Sequence, residues 1–83
     1  MLISELISET LAVNVNFSMD KLIVELSDGR EISVPLIWFP LLLKANESQR
    51  MNWRLIGDGI GIHWEELDED ISVESLLYIN NSN

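Results

Sequence analysis

The chain has 83 residues, which is enough for one domain with a single hydrophobic core. It contains no cysteine, so disulfides, thiolate catalysis and cysteine-based zinc sites are excluded. Its 14 acidic and 5 basic side chains give a net charge of −9, which makes direct nucleic acid binding unfavourable because such binding needs clustered Lys and Arg.

The sequence has no recognisable targeting or membrane signal. Residues 1–10 carry two acidic and no basic residues, unlike the start of a signal peptide. No apolar run approaches the roughly 20 residues that a membrane-spanning helix needs. A secreted domain of this size would usually carry disulfides. We therefore expect a cytoplasmic protein with no membrane partner.

The start of the chain combines an extension with a first strand. Residues 1–10 form an N-terminal extension in which the spacing of Leu and Ile fits a short helix. From Leu11 onward, apolar and polar residues alternate, which is typical of a half-buried strand. Four side chains are expected to share its buried face: Leu11, Val13, Val15 and Phe17.

Two further strands, at residues 21–26 and 30–34, form a predicted hairpin. Val24 and Ile32 can share one face only if the loop between the strands has three residues. Such a loop places Gly29 in the left-handed region, as part of a bulge.

A second hairpin is predicted from strands at residues 51–56 and 60–64. Their apolar faces align only if the loop consists of Asp58 and Gly59, a sequence typical of a type I′ turn. This register makes two cross-strand pairs: Trp53 with Trp64, and Arg54 with His63.

Two helices complete the predicted fold. Pro40 is tolerated in a first helical turn, and the leucines after it favour a helix to about Gln49. Ser72 is a good N-cap for a last helix that reaches Ile79. The sequence thus predicts a small single α+β domain at residues 11–79, with antiparallel β-hairpins of about five short strands, two short helices and a frayed tail at 80–83.

Several short motifs follow one another along the chain in a characteristic order: Leu26-Ser27-Asp28-Gly29-Arg30, Val34-Pro35-Leu36, Trp38-Phe39-Pro40, Gly61-Ile62-His63-Trp64 and Leu67-Asp68-Glu69-Asp70-Ile71-Ser72. Over roughly residues 11–79 the chain resembles the bacterial domain of unknown function 2442 family. The resemblance implies a small α+β domain of short antiparallel strands and two helices. It also implies a possible genetic context, since some members lie beside a small toxin-like gene and are called antitoxins, while others carry a helix-turn-helix domain after this one.

The chain departs from the family pattern at two positions. Leu41 stands where a basic residue is expected, and Glu65 stands where proline is expected. The resemblance supplies no catalytic residues that could be carried over.

The strongest charged feature is an acidic run near the end of the chain: Glu65, Glu66, Asp68, Glu69 and Asp70. It predicts an acidic face for a basic partner protein. The alternative explanation is helix-start electrostatics, which accounts for Asp70 and Glu74 but not for carboxylates further upstream. A calcium loop starting at Asp68 is excluded because Val73 stands where that loop needs glycine.

His63 is the single histidine and is predicted to form a polar surface pair with Arg54. A general base needs an orienting partner and a substrate pocket, and a zinc site needs three or four ligands. The sequence provides neither in a recognisable pattern. We therefore expect no catalytic residue, no metal and no cofactor.

Trp38 and Phe39 form the second candidate binding feature. In an extended segment, two adjacent side chains point to opposite sides, so both cannot face one core. One of them is expected to be exposed as an anchor for a partner. The alternative is that both pack beneath the helix that begins at Pro40.

These features favour a protein–protein interaction module, such as the antitoxin of a toxin–antitoxin pair, over an enzyme. The expected partner is a basic protein, such as a toxin encoded nearby, or a second copy of the chain. Two alternatives remain open: a component of a DNA-associated transcriptional regulator, and a small metal-binding or enzymatic domain that uses His63, Arg54 and the carboxylates.

Overall fold

The computed structural model describes residues 10–80, which form two three-stranded antiparallel sheets and three short α-helices. The first sheet contains β1 (Ala12–Ser18), β2 (Lys21–Leu26) and β3 (Glu31–Pro35) in that order. The second contains β4 (Trp53–Ile56), β5 (Gly61–Trp64) and β6 (Glu69–Ser72). The helices are α1 (Pro40–Lys44), α2 (Glu47–Met51) and α3 (Val73–Asn80).

The α+β class is confirmed, with one strand and one helix more than predicted. The helix expected within residues 1–10 lies outside the described residues, apart from Thr10, which is buried. Of the tail predicted at residues 80–83, Asn80 is the last residue of α3, and the rest lies outside the described residues. None of the helices in the described part of the chain is long and apolar enough to cross a membrane.

The first hairpin has the predicted register. Val24 lies opposite Ile32, and both side chains are buried. The connecting loop ends at Gly29, whose φ of 93° confirms the left-handed conformation. Asp28 accepts hydrogen bonds from the backbone N (3.0 Å) and Nε (2.8 Å) of Arg30, and the backbone bond is the main reason that the pKa of Asp28 is lowered.

β1 departs from simple alternation because a bulge interrupts its pairing with β2 between Ala12 and Asn14. The extra residue, Val13, is 52% exposed, whereas Ala12 is buried. Beyond the bulge, Val15 is buried and Phe17 packs against the core, as predicted. The predicted position of Val13 on the buried face is therefore wrong, because the bulge shifts the alternation by one residue.

The helix predicted from Pro40 to about Gln49 is broken in two. Lys44 is the last residue of α1, and Ala45 is extended, with φ −73° and ψ 152°. Asn46 then caps α2: its side chain accepts from the Gln49 N–H (2.8 Å), while the Gln49 side chain accepts from the Asn46 N–H (2.9 Å). This reciprocal capping box gives α2 its own N-terminus, which helix propensity alone does not indicate.

The second hairpin also has the predicted register, with Trp53 opposite Trp64 and Arg54 opposite His63. Both loop residues have the positive φ that a type I′ turn requires. Their φ values are 61° for Asp58 and 114° for Gly59.

Both strands of this hairpin start later than predicted. Met51 is the last residue of α2, and Ile60 has a helical backbone (φ −68°, ψ −20°), so neither joins the ladder and both side chains are exposed. Gly61 begins β5, and a Cβ atom there would lie 3.3 Å from the carbonyl oxygen of Ile71 in β6. The glycine thus permits the close approach of β5 and β6 at this position.

The sequence did not indicate β6. Its residues Glu69 and Asp70 have low strand propensity, and pairing with β5 places them in the sheet nonetheless. α3 follows directly, and the predicted cap is confirmed: the Ser72 hydroxyl accepts a hydrogen bond from the Ser75 N–H at 3.1 Å.

One core joins both sheets, α1 and α3. Trp64 lies fully buried within it, with its ring 6.5 Å from that of Phe17 in an edge-to-face arrangement and its indole N–H donating to the carbonyl oxygen of Arg50 (2.9 Å). The buried apolar residues are Ala12, Val15, Leu22, Val24, Leu26, Ile32, Val34, Leu36, Leu42, Ile62, Trp64, Ile71, Val73 and Leu76.

Candidate partner-binding surface

The acidic run is a turn followed by a strand. Glu65, Glu66 and Asp68 lie in the turn and are exposed, and β6 begins at Glu69. Asp70 lies opposite His63 on β5. Asp70 thus has a partner in the sheet, while Glu74 lies in the first turn of α3, where the helix-start explanation places it.

His63 is held between two of these carboxylates. Its Nδ1 contacts the carboxylate of Asp70, and its Nε2 lies 3.3 Å from Oε1 of Glu65. Arg54 also reaches Glu65, with 3.4 Å between Nη2 and Oε1. The predicted pair of Arg54 and His63 is thus part of a larger cluster that ties β4, the acidic turn and β6 together.

This cluster links β5 to β6 and to the acidic turn through side-chain contacts. Asp70 contacts Nδ1 of His63 and can fix the orientation of the ring, while Glu65 lies near Nε2. Within residues 10–80, no group of three His, Asp or Glu side chains is arranged to hold a metal ion. The arrangement can fix the acidic turn in one conformation and present its exposed carboxylates to a partner.

Glu69 is the least exposed carboxylate of the acidic run, and its surroundings disfavour its ionised form. Its pKa is raised, chiefly because the carboxyl group is partly buried and also because the charges of Asp70 and Asp68 lie nearby. Burial and like charges both disfavour the ionised form. Glu69 therefore contributes less to an exposed acidic face than its neighbours in the turn.

Trp38 and Phe39 point to different environments. Phe39 packs against the core, whereas Trp38 is 52% exposed. One of the two aromatic side chains is thus available as an anchor, and the alternative in which both are covered is wrong.

The apolar surface around Trp38 is wider than the sequence indicated. Ile37, Leu41 and Leu43 are also exposed, while Leu42 is fully buried. The sequence contains a pattern that indicates this exposure. Three successive leucines in a helix cannot all face one core, because they are spread around the helix axis. We call these four exposed residues the apolar segment: Ile37, Trp38, Leu41 and Leu43.

α2 connects the apolar segment to the acidic turn. Arg50 donates from Nε to the carbonyl oxygen of Leu42 and from Nη2 to that of Leu43, both at 2.9 Å. From the same helix, Gln49 donates to Glu66 at 2.9 Å. The two candidate features are therefore attached to one element, although no sequence pattern indicated a role for Arg50.

Comparison with curated proteins gives no match. A similar solved structure is that of a protein of unknown function from Rhodospirillum rubrum, with 29% sequence identity and a TM-score of 0.71. The similarity covers 84% of this chain and 87% of the other.

The family model described as "Protein of unknown function (DUF2442)" matches residues 12–82. This range contains both sheets, the three helices and all the candidate residues. The chain therefore belongs to the DUF2442 family, as the order of its motifs indicated.

Proposed function

We propose that this protein is a non-enzymatic interaction module that binds a basic protein partner, and that it acts in the cytoplasm as the antitoxin of a toxin–antitoxin pair. The observation that carries the proposal is the exposed indole of Trp38 within the apolar segment. Exposed aromatic side chains are enriched among the residues that dominate binding energy at interfaces.

The charge of the surface supports a basic partner. The exposed turn carboxylate of Glu66 is bonded to α2, the helix that also holds α1 through Arg50, and Asp68 is exposed in the same turn. A net charge of −9 would attract a basic protein and accelerate its association. The contact between His63 and Asp70 supports a role for the one histidine in holding β6 beside β5.

The proposal is tested by co-expressing the tagged chain with the basic protein encoded beside its gene and measuring complex formation. Trp38→Ala should weaken the complex at least about tenfold, because it truncates the proposed anchor. Glu66→Gln with Asp68→Asn should slow association and reduce its dependence on salt.

The substitutions are chosen to leave the fold intact. Glu65 and Glu69 are kept because Glu65 contacts His63 and Glu69 is partly buried. Asn tolerates the positive φ (54°) at position 68. A matched control is Glu31→Gln with Asp58→Asn, which removes two exposed charges elsewhere and should leave binding unchanged. Absence of any complex with a neighbouring basic protein would contradict the proposed function.

A further inference from the structure

One end of the molecule exposes more apolar surface than the apolar segment alone. The turn between β1 and β2 adds one methionine to it, and the end of α2 adds another. We call the enlarged set of exposed residues the apolar end: Met19, Ile37, Trp38, Leu41, Leu43 and Met51.

Hydrogen bonds bring the three parts of the apolar end together. The Leu36 N–H donates to the carbonyl oxygen of Asp20 (2.8 Å), which holds the residues before Trp38 beside the turn that carries Met19. Arg50 bonds the last carbonyl groups of α1 and so holds α1 beside the end of α2. On the remaining side, Met19 and Met51 line one cleft between the β1–β2 turn and α2. The apolar end is therefore one region of the surface.

The size of the apolar end matches one side of a protein interface. A large apolar residue exposes about 200 Å² in full, so exposed fractions from 41% for Leu43 to 95% for Met19 give about 700 Å² in total. The largest apolar patch on a typical monomer is about 300–600 Å². Each partner in a stable complex of standard size buries about 800 Å². The apolar end and its polar border therefore supply the area that a stable dimer needs.

The charges that border the apolar end are balanced. Two carboxylates and two ammonium groups lie on the same turn and helices: Asp20, Lys21, Lys44 and Glu47. None of the four has an ion pair in the described part of the chain. The net charge of −9 thus comes entirely from the rest of the chain. Two copies can approach each other at this end without net local repulsion, and the lysines of one copy can pair with the carboxylates of the other.

We propose that two copies of this chain form a twofold dimer in which the apolar end of each copy covers that of the other. A twofold interface uses the same patch on both copies, so one surface with balanced charges is sufficient. The inference goes beyond the proposed function, because it states what covers the apolar segment when no other partner is bound. Since Trp38 belongs to both surfaces, a second copy and a basic partner exclude each other there.

Sedimentation equilibrium of the full chain alone tests the proposal. The unmodified chain should sediment as a dimer at about 100 μM, since interfaces of this size give dissociation constants from micromolar to picomolar. Leu41→Lys should raise the dissociation constant of the dimer at least about tenfold, because it places an ammonium group within the apolar surface of both copies. A monomeric unmodified chain at that concentration would overturn the proposal.

The matched control is Ile60→Lys, which adds the same charge at an exposed position in the second hairpin, outside the apolar end. This variant should dimerise like the unmodified chain. Ile37→Lys is a second variant within the apolar end and should weaken the dimer as Leu41→Lys does, so the result does not depend on the folding of one variant. Circular dichroism shows that each variant is folded. Equal dimerisation of all three variants would overturn the apolar end as the interface.

Salt distinguishes this dimer from a head-to-tail contact between the lysines of one copy and the acidic turn of another. A dimer through the apolar end should be as strong or stronger when the ionic strength rises from about 50 to about 300 mM, because salt screens the repulsion between two chains of net charge −9. A dimer that dissociates as salt is added would overturn the proposed placement of the interface.

Failure of the dimer and failure of the proposed function give different results. If the chain alone is monomeric but binds the neighbouring basic protein through Trp38, the dimer is overturned and the proposed function stands. If the chain dimerises through the apolar end but no neighbouring basic protein binds, the dimer is supported and the proposed function fails.

Discussion

Single carboxylates of the acidic turn and strand differ in environment although they are adjacent in sequence. Glu66 is exposed and bound by Gln49, Asp70 contacts His63, and Glu69 is partly buried beside like charges. In the net charge of the chain, each of these carboxylates counts equally as −1. Their positions in the turn and in β6 decide whether each one favours or opposes folding.

Glu69→Gln should stabilise the protein at neutral pH. The pKa of Glu69 is raised above 4.5 in the folded chain, so its ionised form opposes folding above that raised value. The cost is removed as the pH falls through the raised pKa, and it vanishes below the unfolded value, where both states are protonated. Thermal unfolding should show a higher midpoint for the variant at about pH 7 and no gain below about pH 4.

The matched control for this prediction is Glu74→Gln. Glu74 lies exposed in the first turn of α3, where a negative charge favours the helix by about 0.3–1 kcal/mol. This variant should therefore lose stability at neutral pH. An equal gain in both variants would show that total charge, rather than the environment of Glu69, controls the effect.

Among the elements, the turns decide where the two sheets meet. Gly59 has a φ of 114°, and a Cβ atom there would lie 2.3 Å from the carbonyl oxygen of Ala12. The second hairpin turn thus packs directly against the start of β1. Asp58 and Gly59 therefore form the turn of the second hairpin, and Gly59 also brings that turn into close contact with the first sheet.

Gly59→Ala should cost about 3 kcal/mol of unfolding free energy, because it adds a collision with backbone to the strain of a positive φ. Gly29→Ala is the matched control, since Gly29 has a φ of 93° but nothing lies within 4 Å of its added Cβ. That variant should cost only about 1–2 kcal/mol. Urea unfolding measures both, and equal costs would contradict the proposed contact.

The hairpins were the most predictable elements, because alternation and glycine positions restrict the register. Val24 opposite Ile32 and Arg54 opposite His63 both followed from keeping apolar residues on one face. The bulge at Val13 and the break after Lys44 were missed, since each depends on a local backbone choice that polarity does not encode. β6 was missed because its strand conformation depends on pairing with β5.

On the scale of the whole molecule, Trp64 connects the two sheets. It belongs to β5, contacts Phe17 of β1 edge to face, and bonds the backbone of α2 at Arg50. A buried side chain in one element with partners in two others should make the three unfold together. We therefore expect a single unfolding transition for the described domain.

Trp64→Phe should lower the unfolding free energy by about 2–4 kcal/mol, because it leaves a cavity and removes the donor to the Arg50 carbonyl oxygen. Trp38→Phe is the matched control, and at its exposed position the cost should be within about 0.5 kcal/mol. Urea unfolding followed by circular dichroism tests the pair. A comparable loss in both variants would contradict the assignment of Trp64 to the core and Trp38 to the surface.

The candidate surface was predictable only in part. The acidic run and the pair of Trp38 and Phe39 were visible in the sequence, because charge density and adjacent aromatics are local properties. Only the tertiary structure shows that Trp38, and not Phe39, is the exposed ring. The same holds for the cleft that Met19 and Met51 help to line. These two methionines are 32 positions apart and line one cleft only because α2 lies beside the end of β1.

By itself, the sequence determined the α+β class, both hairpin registers, the left-handed turn glycines and the family, because these depend on patterns within a few residues or along one hairpin. The tertiary structure alone decided that Asp70 pairs with His63 in a sixth strand and that Trp64 joins the sheets. It also decided which apolar side chains remain exposed. These properties depend on contacts between distant segments, whose geometry exists only when the whole core has formed.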